Sequence, residues 1–137
     1  MPTKAKTILI VDDDPDFIAI ERMQLEAAGY TVVSAEGQQQ AEETLKTLSP
    51  DMAIVDLMLE HMDGGFALCH HIKARTPAIP VITVTGVTSE TGLEFDASTA
   101  EERSWIKADL MLTKPVRFEQ LLAEVQRLLE AYARKAG

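Results

Sequence analysis

The sequence has a single cysteine, Cys69, and few aromatic residues, which make up 5% of its 137 positions. One cysteine cannot form a disulfide within the chain, so a small disulfide-stapled secreted domain is excluded. No apolar run approaches the ~18–20 residues that a membrane-spanning helix needs, and residues 1–6 are not followed by the apolar core of a signal peptide. These absences predict a cytoplasmic protein that is neither exported nor embedded in a membrane.

Basic residues are also scarce, because 13 Lys and Arg accompany 22 Asp and Glu, which gives a formal net charge of −9. That balance argues against nucleic-acid backbones and anionic membranes as the main partner. The whole deficit lies in residues 1–70, where thirteen acidic residues accompany four basic ones. We expect most of this charge to be solvated helix surface and a small part of it to form a cation site.

The length suits one domain with a core of its own. The composition is 46% hydrophobic and 26% charged, which excludes a disordered tail or a low-complexity linker. The sequence has no internal repeat and no Gly/Ser linker. It therefore predicts a single domain over residues 1–137.

Short apolar runs of strand length alternate with longer helical patterns. The predicted strands are Thr7–Val11, Thr31–Ala35, Met52–Val55 (ending on Asp56), Pro80–Val84 and Leu110–Leu112. The predicted helices run from Pro15 to Ala28, from Gln38 to Leu48, over about ten residues after Gly65, and from Phe118 to Tyr132. This alternation predicts an α/β fold with a five-stranded parallel sheet that is covered by helices on both faces.

Polar side chains stand where the predicted strands end, and ligands of such sheets bind at that edge. Asp12 and Asp13 follow the first strand, Asp56 the third, Thr85 the fourth and Lys114 the fifth. Converging carboxylates need a cation, and oxygen ligands with room for water favour Mg²⁺. A lysine can supply a positive charge, and a hydroxyl a hydrogen-bond donor, to the oxygens of a phosphoryl group. A carboxylate can itself accept the phosphoryl group and form an aspartyl phosphate.

Other polar residues near these strands have structural explanations. Asp14 precedes Pro15, the pattern of a helix N-cap followed by the first helical residue. Asp56 has no capping role, because no helix is predicted before Gly64. His70 and His71 point in different directions on a helix and are predicted to be solvated, while Cys69 fits the buried face of its helix.

Five segments together resemble the receiver domain of bacterial two-component response regulators. They are ILIVDD at 8–13, DMAIVDLM at 51–58, MDG at 62–64, VITVTG at 81–86 and LTKP at 112–115. The segments occur in the family's order and span nearly the whole chain. The resemblance implies a flavodoxin-like sheet with strand order 2-1-3-4-5.

The resemblance also implies roles for residues at the strand ends. Asp56 would be the phosphoacceptor, Asp13 a direct Mg²⁺ ligand and Asp12 a ligand through water. The backbone carbonyl of Met58 would complete the protein ligands.

Further roles concern the phosphoryl group itself. Thr85 would bond a phosphate oxygen, Gly86 would leave room for the group, and Lys114 would pair with it. The bond between Lys114 and Pro115 would be cis. The donor would be a phosphohistidine on a sensor histidine kinase or a phosphotransfer protein. The chain would not be a conventional enzyme, although it would catalyse its own phosphorylation and dephosphorylation.

The sequence departs from the family pattern in places that concern output. Glu60 replaces a usual proline four residues after the acceptor, and Met111 replaces the aromatic that often reports activation. Lys114 follows Thr85 by 29 positions, several more than usual. We therefore expect an atypical extended segment at about 86–109 and an altered output face made of the fourth helical segment, the fifth strand and the last helix. Trp105 and Met111 are candidates for a partner surface there.

Three functions remain open at this point. The leading one is a stand-alone receiver without an output domain, monomeric or weakly dimeric, which binds an unknown downstream protein. The second is a phosphatase of the haloacid-dehalogenase type, because Asp12-x-Asp14 after a first strand resembles its nucleophile motif. The third is an interaction module that keeps the fold but works without phosphorylation.

Overall fold

The computed structural model of the protein describes residues 6–56, 64–74, 79–85, 109–113 and 116–136, with residues 64–67, 85, 113 and 134–136 described by their backbone alone. The strands are β1 (Thr7–Val11), β2 (Thr31–Ala35), β3 (Met52–Asp56), β4 (Val81–Thr85) and β5 (Leu110–Thr113). The helices, numbered over the described residues, are α1 (Pro15–Ala27), α2 (Gln38–Thr47), α3 (Gly64–Lys73) and α4 (Phe118–Ala136).

The five strands form one parallel sheet in the order β2-β1-β3-β4-β5. This order confirms the flavodoxin-like arrangement that the resemblance implies. β1 and β3 lie inside the sheet, and helices cover both of its faces. That position explains why their sequences are almost continuously apolar instead of alternating, since both sides of each strand are buried.

Alternate residues of β1 point to two separate cores. Leu9 and Val11 pack on one face of the sheet with residues of α2 and α3. Ile8 and Ile10 pack on the other face with residues of α1 and α4. All four side chains are fully buried, so β1 is the common wall of both cores.

The boundaries of the elements follow local chemistry. Asp14 is the N-cap of α1, as predicted, and its carboxylate accepts the backbone N–H of Asp16 at 3.0 Å. Gly29 follows this helix with a φ of 101°, a left-handed conformation that favours glycine. The fourth strand begins at Val81, not at the predicted Pro80, because proline has no N–H to donate to a sheet.

The predictions for the middle of α3 are confirmed. Cys69 is fully buried, and burial raises the pKa of its thiol to about 12, so it is core filler and not a reactive group. His70 and His71 are exposed.

In the part of the chain that the structure describes, no helix combines the length and the apolar character that crossing a membrane requires.

One buried residue is unexpected from the sequence. Glu21 lies on α1 between Ile18 and Leu25, which both face the core, and only 5% of its surface is exposed. Among the described residues, its Oε2 atom has no hydrogen-bond partner. Burial raises the pKa of the Glu21 carboxyl above its ordinary value. The native protein therefore holds this proton more tightly than the unfolded chain does.

This imbalance predicts a pH-dependent loss of stability. The loss starts as pH rises through the unfolded value of about 4.3, and it is complete above the raised native pKa. Replacing Glu21 by Leu should raise the free energy of unfolding near pH 7 by roughly 1–3 kcal/mol, the usual cost of an unsatisfied buried polar group. Urea unfolding at several pH values measures this gain.

The matched control is Glu26→Leu, which replaces an exposed carboxylate on the same helix. It should leave the stability near neutral pH almost unchanged. A destabilised Glu21→Leu protein, or a gain that is the same at pH 4 and pH 8, would contradict this account of Glu21.

Candidate functional site

The register of the two inner strands brings two acidic residues side by side. Val11 pairs with Val55 across β1 and β3, so the next residues, Asp12 and Asp56, leave the sheet at the same level. The backbone N–H of Asp12 still bonds the carbonyl of Ala35 at 3.1 Å, which holds it in line with β1. The carboxyl edge of the sheet therefore positions both carboxylates through the backbone.

Asp13 joins these two residues to form a cluster of three carboxylates. One oxygen from each of Asp12, Asp13 and Asp56 lies within 4.8 Å of the other two. Asp12 is 1% exposed and Asp56 4% exposed, whereas Asp13 is open to solvent. We call these three residues the carboxylate cluster. Two of its members are shielded, and the third faces the side from which a ligand would arrive.

A short chain of hydrogen bonds ties the cluster to the start of α1. The Oδ1 atom of Asp12 accepts the backbone N–H of Asp14 at 2.8 Å, and Asp14 in turn caps the helix through Asp16. Asp14 is thus occupied as a cap and is not a member of the carboxylate cluster. The Asp12-x-Asp14 pattern does not bring two carboxylates to one site, which counts against the phosphatase hypothesis.

Electrostatics makes a cation at this site favourable. Two ionised carboxylates about 4.8 Å apart repel each other by roughly 3 kcal/mol at the effective dielectric constant of ~20 that suits protein sites. The buried positions of Asp12 and Asp56 reduce the screening by water. A bound divalent cation would turn this repulsion into attraction.

The donor set fits Mg²⁺. The three groups are hard oxygen ligands on one side of the site, and Mg²⁺ prefers such oxygens at about 2.0–2.1 Å while it retains several waters. One Asp12 oxygen accepts the N–H of Asp14, which holds this carboxylate in its place within the cluster. The exposed Asp13 leaves space for those waters.

Other predicted site residues lie next to the cluster or outside the described residues. Thr85 ends β4 one position beyond Val84, which pairs with Asp56, and Thr85 pairs with Thr113 on β5. The backbone thus brings Thr85 and Thr113 to the same edge as the cluster. Lys114 is the residue after Thr113, and it lies outside the described residues, as do Met58, Gly86, Pro115, Glu60 and Trp105.

Met111 lies within the described residues, and its side chain is packed against a core instead of standing free on the surface. It lies on β5 opposite Thr83 and packs, half-buried, against the core that contains Leu9 and Val11. The assignment of Met111 to a partner surface stays a prediction.

Comparison with known proteins identifies what this arrangement is similar to. The family model described as the response regulator receiver domain matches residues 8–126. The DNA-binding dual master transcriptional regulator RpaA of Synechocystis sp. is 36% identical over 126 residues, which are 89% of this chain and 48% of that protein. The regulator PhoP of Bacillus subtilis is 29% identical over 90% of this chain and 48% of its own length. This chain thus spans about half the length of these curated relatives.

Solved structures agree with the sequence comparison. A CheY-like response regulator receiver domain protein from Methanospirillum hungatei superimposes with a TM-score of 0.82 at 25% identity, covering 96% of this chain and 99% of that one. The receiver domain of a histidine kinase from Syntrophus aciditrophicus gives a TM-score of 0.76 at 31% identity, covering 93% and 92%.

The cluster predicts a cation-dependent change in thermal stability. Mg²⁺ should raise the melting temperature of the wild-type protein, since a ligand at 100 times its dissociation constant adds about 2.7 kcal/mol. Asp13→Asn should lose most of this rise, and it should melt higher than wild type in EDTA because one repelling charge is gone. Differential scanning calorimetry with and without Mg²⁺ measures both effects.

Asp16→Asn is the control, because Asp16 is an exposed carboxylate three positions away that lies outside the cluster. It should respond to Mg²⁺ as the wild type does. An unchanged Mg²⁺ response in Asp13→Asn, or an equal loss in Asp16→Asn, would show that the cation binds elsewhere.

Proposed function

The chain belongs to the response regulator receiver domain family, and from that premise we propose that it accepts a phosphoryl group on Asp56. The observation that carries the proposal is the carboxylate cluster, in which Asp12 and Asp13 lie within 4.8 Å of the acceptor oxygen. Receiver domains interact with histidine kinases or phosphotransfer proteins, and they are not conventional enzymes. The donor here is a phosphohistidine on such a partner.

Each residue of the site has a distinct task in the transfer. An oxygen of Asp56 attacks phosphorus, the bond from phosphorus to the histidine nitrogen breaks, and the imidazole regains a proton from water. Asp12 and Asp13 would hold Mg²⁺ beside the acceptor, and the bound ion would supply positive charge against the oxygens of the transferring group. The backbone of β3 fixes Asp56 at the level of Asp12, so the acceptor oxygen is presented in a defined place.

The residues beyond the cluster are assigned by the family resemblance. The hydroxyl of Thr85 and the ammonium of Lys114 would bond oxygens of the phosphoryl group, and Gly86 would leave room for it. The backbone carbonyl of Met58 would complete the protein ligands of Mg²⁺. The parallel pairing of Thr85 with Thr113 supports this assignment, because it directs both segments to the edge that carries Asp56.

For the output we propose protein contact and not nucleic-acid binding. The net charge of −9 opposes binding to a phosphate backbone, although the relative RpaA is a DNA-binding regulator. We propose that this receiver works in the cytoplasm and is monomeric or weakly dimeric. Its output face combines residues 86–109, β5 and α4, with Met111 and Trp105 as candidate contacts.

A phosphorylation assay tests the assignment of Asp56. Incubation with Mg²⁺ and acetyl phosphate should add one phosphoryl group, seen by intact-mass spectrometry, and the group should be lost in alkali as an acyl phosphate is. Asp56→Asn should abolish the labelling, and EDTA should suppress it in the wild type.

Asp14→Asn is the matched control, because it makes the same chemical change at a neighbouring aspartate that caps α1, and asparagine caps a helix equally well. This variant should be labelled at the wild-type level. Full labelling of Asp56→Asn would refute the assignment. Absence of labelling in the wild type, together with unchanged partner binding by Asp56→Asn, would favour the phosphorylation-independent module.

A further inference from the structure

Three side chains from different segments meet at the amino end of the strands, away from the carboxylate cluster. Lys73 is the last residue of α3, Asp109 directly precedes β5, and Tyr132 lies near the end of α4. The Nζ atom of Lys73 lies 2.9 Å from Oδ2 of Asp109 and 2.6 Å from the hydroxyl of Tyr132. That hydroxyl donates to Oδ1 of Asp109 at 2.6 Å. We call these three residues the clamp.

The clamp also holds the start of β4 through its backbone. The N–H of Val81 donates to Oδ2 of Asp109 at 2.8 Å, and Lys73 donates to the carbonyl of Ile79 at 3.2 Å. The three hydrogens of the Lys73 ammonium thus have three acceptors, and both carboxylate oxygens of Asp109 have donors. Such a saturated polar network orders the segments that supply it.

Burial makes this network stiffer than a surface ion pair. The side chains of Lys73 and Asp109 are only 22% and 20% exposed. Burial lowers the pKa of Lys73, but its bonds to Tyr132 and Asp109 outweigh this and raise it overall. Burial, with the bond to Asp109, also raises the pKa of Tyr132. Both groups therefore keep their protons at neutral pH, and the network's contribution to stability is lost only as pH rises through these raised values.

The clamp lies at the opposite end of the segments that border the site. β4 runs five residues from the clamp to Thr85, and β5 runs four residues to Thr113. At about 3.3 Å per residue, the clamp is roughly 15 Å from the edge that carries Asp56. α4 begins at Phe118, shortly after Lys114, and reaches the clamp at Tyr132. β4 and β5 thus each have one end at the edge that carries the site and one end in the clamp. α4 starts five residues after β5 ends at that edge, and it joins the clamp through Tyr132.

We propose that the clamp is the fixed end of the output face. It holds the amino ends of β4 and β5 and the last turns of α4, so a change at Asp56 alters this face only at the end nearer the site. This inference rests on the proposed function, because it concerns how phosphorylation of Asp56 is transmitted. Removing the Tyr132 hydroxyl leaves Lys73 and Asp109 each one partner short and frees the end of α4.

Hydrogen–deuterium exchange of the full chain without Mg²⁺ or acetyl phosphate tests whether the clamp holds the end of α4 and the starts of β4 and β5. Tyr132→Phe should speed amide exchange about fivefold over residues 128–136, 79–82 and 109–110, as expected for the loss of one hydrogen bond. Glu124→Gln, which removes the Glu124–Arg127 pair on the same helix, should leave these segments unchanged. Ile18→Val lowers global stability without touching the clamp and should not reproduce the local pattern.

The second part repeats the exchange with Mg²⁺ and acetyl phosphate. In the wild type, changes within α4 should be confined to residues 118–125, and in Tyr132→Phe they should extend to 128–136. Phosphorylation-dependent changes at 128–136 of the wild type would overturn the proposal, as would a Tyr132→Phe pattern identical to that of Ile18→Val. The mass of the same samples shows whether Asp56 is labelled; without labelling the proposed function fails, and the ligand-free comparison still decides whether the clamp holds α4.

Discussion

The pairing of β1 with β3 is the constraint on which the site depends. Val11 opposite Val55 sets Asp12 beside Asp56, and a shift of register by one residue would move one carboxylate to the other face of the sheet. Two buried cores hold that register, because Leu9 and Val11 fill one and Ile8 and Ile10 fill the other. The carboxylate cluster, with its internal repulsion, is thus held in place by two strands that are buried on both faces.

The acidic character of the chain divides according to burial. Glu26 and Glu43 are exposed and serve solvation. Asp12 and Asp56 are buried at the carboxyl edge, where their charges act on a ligand. Glu21 is buried away from the carboxylate cluster. Among the described residues its Oε2 atom has no hydrogen-bond partner, so its burial lowers the stability of the folded protein.

The two ends of the sheet have opposite electrostatic designs. At the carboxyl edge, the three carboxylates of the cluster lie close together, and their mutual repulsion favours a bound cation. At the amino end, the side chains of Lys73, Asp109 and Tyr132 form hydrogen bonds with one another, and opposite charges are paired. If the clamp fixes the amino end of the sheet, structural changes on ligand binding occur mainly at the carboxyl edge, where the carboxylate cluster lies.

The sequence predicts the sheet and all three residues of the carboxylate cluster for a physical reason. Strand-length apolar runs report burial on both faces, and the rule that ligands bind at the carboxyl ends then selects Asp12, Asp13 and Asp56. Glu21 was not predicted, because a glutamate on an amphipathic helix ordinarily faces water. Its position between Ile18 and Leu25, three and four residues away, is the signal that could have placed it in the core.

The clamp could not be predicted either, since its members are separated by 36 and 23 positions and meet only after the sheet has formed. Tyr132 is the last residue of the final predicted helix, but nothing in the periodicity indicates a polar partner for its hydroxyl. Local patterns determine which face of an element is buried, whereas contacts between distant residues require the topology.

The central claim is that Asp12, Asp13 and Asp56 form one site for a divalent cation and a phosphoryl group. A crystal structure grown with Mn²⁺ and beryllium trifluoride, a mimic of the phosphoryl group, tests it most directly. We predict an anomalous peak within about 2.3 Å of oxygens of Asp13 and Asp56, with the trifluoride bonded to Asp56. An anomalous peak elsewhere on the acidic surface, or a trifluoride that leaves Asp56 free, would contradict the account.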